Sequence, residues 1–501
     1  MSMRKLSLFG LLCFLLTLPS LAAYEDLEGE VQEIVLENGL RILLLERHEV
    51  PVFTFATLVE VGGVNEEQGR TGLAHMFEHM AFKGSQTLGA KDYRKEKKVL
   101  EKMDDVYDLL QAERFRGIRA DEQRIAALEE EFEELQKQAD ELVDTNAFGR
   151  MVDQNGGVGM NAFTASDMTV YFYSFPSNKL ELWALLESDR FVNPVLREFY
   201  KERNVVMEER RMRSESQPTG RLIEEALAIS FKGHPYGQPV IGHRSDIAAF
   251  SRRDAQDFYE RHYGAKNTII AVVGDVYYEE LEKLAKKYFS KIPAGSGGIP
   301  VRTKEPEQFG ERRVTIKDPS QPMIFMGYHI PETVHPDFPA CEALSDILGQ
   351  GRSSRLHSKL VKDSQQALYA ATWAGFPGTR FPSLMAVFAA PNQEIPVEEL
   401  ETALDAEIEL LVSEGVSEEE LAAYKNRGRA SFIRGLDSNQ GMAMQLVSSE
   451  SLMGDWREMF RGLEKIDALT LDELNRVAGE IFQKKNRSVA VMVTEKEVGN
   501  D

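Results

Sequence analysis

The sequence predicts an α+β protein built from two homologous α/β domains, each a mixed sheet packed with helices. Shifting the sequence by 219 positions lays residues 251–267 on residues 470–486. Both segments begin with a hydroxyl residue suited to capping, continue as a predicted helix and end in Lys-Asn. A β-rich run follows each, at residues 269–273 and 489–493. Strands mixed with helices of this length are typical of α/β or α+β domains.

A Pro- and Gly-rich stretch separates the two copies of this repeat. We place the linker at residues 292–311, the N-terminal domain at residues 23–291 and the C-terminal domain at residues 312–501. Only the first copy carries the chemical motif described below. The C-terminal domain is therefore predicted to be a non-catalytic copy that contributes scaffold and substrate contacts.

The first 22 residues have the pattern of a signal peptide. Arg4 and Lys5 give a basic start, an apolar run follows at residues 6–18, and cleavage is expected after Ala22 or Ala23. We therefore expect an exported protein, periplasmic or secreted, with no transmembrane segment in the mature chain. Removal of this segment leaves Cys341 as the single cysteine, which excludes an intramolecular disulfide.

The composition limits the classes of partner. A formal net charge of −22 disfavours nucleic acid and anionic membranes. Roughly 100–200 residues form a typical domain, so a chain of 501 residues is long enough for several.

The five residues from His75 to His79, His-Met-Phe-Glu-His, are the strongest chemical signal. Residues four apart on a helix lie one above the other, so His75 and His79 can both direct a ring nitrogen at one ion. We predict a helix with Thr71 as N-cap, Gly84 as C-terminal cap, and an apolar stripe that packs inward. The order His-x-x-Glu-His is the inverzincin arrangement of zinc hydrolases. Glu78 is then the general base for a zinc-bound water.

A hydrolytic zinc site usually takes three protein ligands, so a third must come from elsewhere in the chain. The helical stretch at residues 202–209 is the best candidate, because Glu202 and Glu209 are seven residues apart and share a face across two turns. With Glu209 as ligand, Glu202 is expected to orient a ligand or the attacking water.

An unusual helical segment lies between Gly84 and Asn161. Two apolar stripes with a turn at Gly117 and Asp121 predict an antiparallel helical hairpin over about residues 93–144. Its expected roles are gating, docking of a partner, or no role beyond a tolerated, stabilising insertion.

The segment around the two histidines, residues 72–84, resembles the signature of the pitrilysin/insulinase family of zinc peptidases. Further blocks match in order: Asn161-Ala162-Phe163-Thr164, Glu202-Arg203 followed by Glu209, His234-Pro235-Tyr236-Gly237, Ile241-Gly242, Val273-Gly274-Asp275, Ser354-Arg355-Leu356, and Tyr369. Together they span most of the chain beyond residue 30. In this family the connection that corresponds to the hairpin is much shorter.

The resemblance implies roles that spacing alone does not give. It selects Glu209 rather than Glu208 as third ligand and makes Glu202 an assistant in catalysis. Asn161, Ala162, Phe163 and Thr164 resemble the edge strand to which a peptide substrate adds as a further strand. In the same way, Arg355 and Tyr369 match an Arg/Tyr pair that contacts the bound peptide.

The resemblance also implies that the two domains form half of a clamshell around a chamber, so that a second chain is needed. We favour a homodimer; the alternative is a heterodimer with an inactive sister subunit. The predicted function is a zinc-dependent endopeptidase, with one Zn²⁺ per chain, that hydrolyses unfolded peptides inside a dimeric chamber. The alternative is a non-catalytic or partner-dependent assembly subunit of a heterodimeric peptidase.

Overall fold

The computed structural model describes residues 27–495, so the predicted signal segment lies outside the described residues. The N-terminal half forms a six-stranded sheet in the order β1-β2-β6-β3-β5-β4. Strands β2 and β6 are parallel and the other neighbours are antiparallel. The strands are β1 (Gln32–Val35), β2 (Arg41–Glu46), β3 (Val52–Val59), β4 (Val158–Thr164), β5 (Thr169–Pro176) and β6 (Thr268–Gly274).

The C-terminal half forms a five-stranded sheet in the order β7-β11-β8-β10-β9. Its strands are β7 (Arg312–Asp318), β8 (Met323–Ile330), β9 (Ala367–Phe376), β10 (Ser383–Pro391) and β11 (Arg487–Thr494). This order repeats β2-β6-β3-β5-β4 of the first sheet, and the pair β7/β11 is parallel as β2/β6 is. The predicted fold class, two homologous domains with mixed sheets packed with helices, is therefore confirmed.

Helices cover both sheets. No helix within residues 27–495 combines the length and the apolar character needed to cross a membrane. Those of the N-terminal half are α1 (Leu73–Met80), α2 (Tyr93–Arg114), α3 (Glu122–Leu142), α4 (Ala147–Gln154), α5 (Leu180–Val192), α6 (Phe199–Arg210), α7 (Pro218–Ser230), α8 (Arg244–Ala249), α9 (Arg252–His262) and α10 (Tyr278–Tyr288).

The C-terminal half is also rich in helices, and residues 292–311, between the two halves, contain neither helix nor strand. The helices of this half are α11 (Phe338–Gly349), α12 (Val397–Glu414), α13 (Glu418–Asp437), α14 (Asn439–Met453), α15 (Gly462–Ala468) and α16 (Leu471–Ile481).

One helix from each half packs on the sheet of the other half. Helix α14 buries Met442 and Leu446 against one face of the first sheet, in a cluster with Leu58 of β3. Helix α7 buries Leu222 in a cluster with Phe325 of the second sheet. Removal of this apolar surface from water couples the two halves.

Helices α2 and α3 pack against each other as an antiparallel pair. Gly117, with a positive φ of 56°, lies in the turn, and the Asp121 side chain caps α3 by accepting from the backbone N–H of Gln123 and Arg124. The pair packs on the domain through Tyr107, whose ring centroid lies 4.6 Å from that of Tyr200 on α6.

Candidate metal centre

Helix α1 carries both histidines of the motif. Its apolar stripe, Leu73, Met76, Phe77 and Met80, is buried in the core of the N-terminal half, as the periodicity predicted. The ring centroids of His75 and His79 lie 4.8 Å apart, one turn from each other. The helix packs beside α6 and strand β4, so its polar stripe faces both elements.

Both predicted caps of α1 are wrong, and the C-cap position is held by Ala81 rather than Gly84. Thr71 donates its hydroxyl to Asp246 (2.8 Å), and the N-cap position is held by Gly72 with a φ of 99°. The buried carboxyl group of Glu66 instead accepts from the backbone N–H of Gly72 and Ala74, both at 2.7 Å. A side chain from the preceding loop thus satisfies the free N–H groups of this helix.

Helix α6 brings the two glutamates predicted for the site to its inner face. The Glu208 side chain is 54% exposed and pairs with Arg211, whereas the Glu209 side chain is 17% exposed and lies beside the histidines. Beyond α6 the chain continues as a short π-helix, Arg211–Glu215, whose Arg213 pairs with the other oxygen of Glu209 at 2.7 Å. The seven-residue spacing therefore places Glu202 and Glu209 on the same side of α6, the side that faces the histidines.

His75, His79 and Glu209 offer three ligand atoms that all lie within 4.8 Å of one another. The Glu209 Oε2 atom lies 3.7 Å from His75 Nε2 and 3.3 Å from His79 Nε2. Tetrahedral zinc bonds of about 2.0–2.1 Å require donors about 3.3–3.4 Å apart, so these separations need only a small adjustment. Two imidazoles and one carboxylate are also a donor set typical of hydrolytic zinc. The residues present fit the ion.

Glu202 orients one of the candidate ligands. Its Oε1 atom lies 2.9 Å from His79 Nδ1, and its Oε2 atom accepts from Lys83 Nζ at 2.6 Å. Burial would raise the pKa of Glu202, but the hydrogen bonds from His79 and Lys83 outweigh it and lower the pKa below its ordinary value. The ionised carboxylate holds the proton of His79 on Nδ1, so Nε2 remains free to bind a cation.

The pKa values of the two histidines shift in opposite directions. Burial, with smaller contributions from His79 and Arg213, lowers the pKa of His75 to about 3, so this ring is neutral as a metal ligand must be. Burial also lowers the pKa of His79, but the hydrogen bond to Glu202 and nearby carboxylates outweigh it and raise that pKa. Protonation therefore competes with cation binding more strongly at His79 than at His75.

Glu78 lies between the histidines in sequence and lines an open groove. Burial raises the pKa of Glu78 above its ordinary value, although Thr164 and the charge on His79 oppose this. A carboxylate with a raised pKa is better matched to proton transfer near neutral pH. The groove is lined by residues of α1 and β4, the N-terminal part of α6, the loop before it, and residues 143–146.

Strand β4 is the outer strand of the first sheet and pairs only with β5 among the described strands. Asn161 and Ala162 line the same groove as Glu78. Phe163 is 39% exposed, and Thr164 ends the strand beside Glu78. Three of the four residues predicted to hold an added strand, Asn161, Ala162 and Thr164, therefore lie at the groove or beside Glu78.

Arg355 and Tyr369 lie in the C-terminal half, and neither lines this groove. Arg355 makes a two-pronged ion pair with Glu420, at 2.7 Å for both contacts, and donates to the carbonyl of Gly415. Tyr369 is 40% exposed on β9, the outer strand of the second sheet. The single chain does not bring this pair to the histidines.

Sequence reasoning missed two residues that shape the site, Glu66 and Lys83. Lys83 could have been found, because it lies four residues after His79 and thus one turn further on. Glu66 acts through contacts that no local spacing signals.

With the fold and the donor set in place, comparisons with known proteins identify the class. A sequence model of the insulinase family, peptidase family M16, matches residues 41–104 and 141–244, which include both ligand helices. A model of the M16 inactive domain matches residues 249–427. The chain belongs to the pitrilysin/insulinase family. Its structural neighbours are half-clamshell peptidases of this family, in agreement with the predicted half-clamshell.

Among individual relatives, the chain is 28% identical over 476 residues to the zinc protease PqqE of Helicobacter pylori, covering 92% of each protein. It is 25% identical to an uncharacterized zinc protease of Mycobacterium leprae, covering 90% of this chain and 89% of that protein.

Solved structures with the same fold extend the comparison. A Helicobacter pylori protease has a TM-score of 0.77 and 26% identity, covering 92% of this chain and 99% of that one. The periplasmic protease PqqL of Escherichia coli has a TM-score of 0.68 and 18% identity, covering 93% of this chain but only 47% of PqqL. The chain therefore corresponds in fold to about half of PqqL.

Proposed function

We propose that this protein is a zinc-dependent endopeptidase that binds unfolded peptides as an added strand on β4. The observation that carries the proposal is the convergence of His75, His79 and Glu209 within 4.8 Å, next to a groove that Glu78 lines. These three residues would hold one zinc ion per chain. The names of relatives as zinc proteases support the same chemistry.

The reaction divides among the residues of the site. Bound zinc supplies a Lewis acid that polarises the peptide carbonyl and makes water acidic enough to react near neutral pH. Glu78 accepts the proton as the water oxygen attacks the carbonyl carbon, and returns it to the leaving amine as the C–N bond breaks. Glu202 keeps His79 oriented, and the free edge of β4 offers main-chain hydrogen bonds that hold the peptide extended.

Completion of the chamber would require a second chain. The chain matches only half of PqqL in length, and Arg355 and Tyr369 lie away from the histidines of their own chain. We propose a homodimer in which the second half-shell closes over the groove, and an exported location such as the periplasm, as for PqqL.

Substitution of Glu78 by Gln tests the proposal most directly. The variant retains all three donors, so we expect it to bind zinc in a 1:1 ratio while its peptide hydrolysis falls by about 100-fold or more, because general-base catalysis contributes about 10²–10⁴-fold. Zinc content by mass spectrometry and cleavage of an unfolded peptide provide the two readouts. Wild-type protein should lose activity to a chelator and regain it with zinc. Activity that resists chelation would exclude this mechanism.

The rival function is a non-catalytic assembly subunit. The match to the inactive M16 domain covers residues 249–427, which contain none of the candidate ligands. It is therefore no evidence against catalysis by the N-terminal half. Metal-replete protein that lacks stoichiometric zinc would favour the rival.

A further inference from the structure

Arg197, just before helix α6, uses every one of its N–H donors inside the protein. Its side chain is 1% exposed. The guanidinium donates to Glu96 on helix α2 at 2.8 and 3.2 Å. It also donates to the carbonyls of Lys83 (2.8 Å), Leu88 (2.9 Å) and Ser85 (2.7 Å). One buried cation thus joins the helical pair α2/α3, hereafter the hairpin, to the loop that follows the histidine helix.

The loop at residues 83–89 is shaped around this guanidinium. Gly84 and Gly89 have φ angles of 92° and 96°, a region that side chains rarely adopt. A Cβ atom at either glycine would lie 2.8 Å from Arg197 Nη1. The two glycines therefore allow the carbonyls of the loop to surround the cation.

This loop leads directly to the candidate metal centre. Lys83, whose carbonyl binds Arg197, places its ammonium 2.6 Å from Glu202, and Glu202 in turn holds His79. Arg197 is two residues from the start of α6, which carries Glu202 and Glu209. The guanidinium therefore holds the loop that follows α1 against the start of α6.

We infer that Glu96 of the hairpin is a positioning residue of the metal centre, acting through Arg197 on the loop that carries Lys83. The hairpin is in this respect a functional part of the site. Both of its ends lie near the groove: Lys91 N–H donates to the carbonyl of Leu142 at 2.8 Å, and residues 143–146 line the groove. The inference rests on the proposed zinc site.

The Glu96 carboxylate is fully buried and is the only anionic partner of Arg197 in the part of the chain that the structure describes. Its loss leaves a buried guanidinium without a counter-charge, which favours movement of the guanidinium toward solvent. The three loop carbonyls then lose their donors. Lys83 moves with the loop, and Glu202 loses the partner that fixes its second oxygen.

The test is the zinc affinity of Glu96→Gln, measured by competition with a chromophoric chelator. We expect the zinc Kd to rise roughly tenfold, the lower end of the 10–100-fold found when outer partners of metal ligands are removed. The absorption spectrum of the Co²⁺-substituted protein should also change, since it reports ligand geometry directly. Glu96→Asp retains the charge, so we expect it to fold stably and to show a smaller change in the same direction.

Asp104→Asn is the matched control. Asp104 lies on the same helix, is 3% exposed, and forms an ion pair with Arg252 that does not touch the loop. This variant should lose stability to a similar extent yet bind zinc as wild type does. Equal zinc affinity in wild type and both Glu96 variants would overturn the inference and leave the proposed function intact. An equal loss of affinity in Asp104→Asn would also overturn it. Failure of wild type to bind zinc would overturn the proposed function itself.

Discussion

The contact between Glu202 and His79 predicts a measurable effect on zinc affinity. In Glu202→Gln a neutral amide replaces the carboxylate that accepts from His79 Nδ1 at 2.9 Å and from Lys83 Nζ at 2.6 Å. A hydrogen bond to a charged group contributes about 1.5–3 kcal/mol and a neutral one about 0.5–1.5 kcal/mol. The expected loss is about 1–1.5 kcal/mol, which corresponds to a zinc Kd about five- to tenfold higher.

The assay is competition for zinc with a chromophoric chelator near neutral pH, with Glu208→Gln as control. Glu208 lies on the same helix, one residue from a candidate ligand, but its side chain is 54% exposed and pairs with Arg211. The control removes the same charge without touching His79. A zinc Kd for Glu202→Gln that matches both the control and wild type would refute the idea that Glu202 orients the ligand.

Two further predictions concern stability. Burial raises the pKa of Glu66 from 4.5 to about 8, so its protonated form is favoured in the folded state. The contribution of this protonation to the free energy of unfolding is full below about pH 4.5 and is lost as pH rises through 8. Wild type should therefore lose stability relative to Glu66→Gln across this window. Urea unfolding at a series of pH values measures the difference between the two proteins, and a difference that stays constant with pH would contradict the raised pKa of Glu66. Asp167, 4% exposed, accepts from the Tyr236 hydroxyl at 2.6 Å and from the backbone N–H of Thr379 at 2.8 Å, which joins the two halves. Asp167→Asn should therefore lower the free energy of unfolding by about 3 kcal/mol, and a urea midpoint equal to that of wild type would be inconsistent with this role.

Part of the fold could be predicted from the sequence because it depends on local periodicity. The apolar stripe of α1 predicted which face is buried, and the internal repeat predicted two sheets of one topology. The spacing of Glu202 and Glu209 predicted a common face, and the resemblance chose Glu209 over the exposed Glu208. These inferences depend on residues within two turns of one another or on a repeat.

The remainder depends on contacts between distant segments. Thr71 has the side chain of an N-cap, yet Glu66 caps α1 because a preceding loop brings its carboxyl group to the free N–H groups. Arg197 and Glu96 are 101 residues apart, and each alone has the pattern of a surface charge. Their roles in the proposed site depend on the burial of this ion pair, and no local sequence pattern predicts that two distant charged residues are buried together.

The exchange of α7 and α14 between the two sheets has a consequence for how the chain folds. A polypeptide cut within residues 292–311 would leave the apolar face of the first sheet, with Leu58, without Met442 and Leu446 of α14. The second sheet would lose Leu222 in the same way. The two copies of the repeat are therefore not autonomous folding units, and we expect a single cooperative unfolding transition in which neither copy survives the melting of the other.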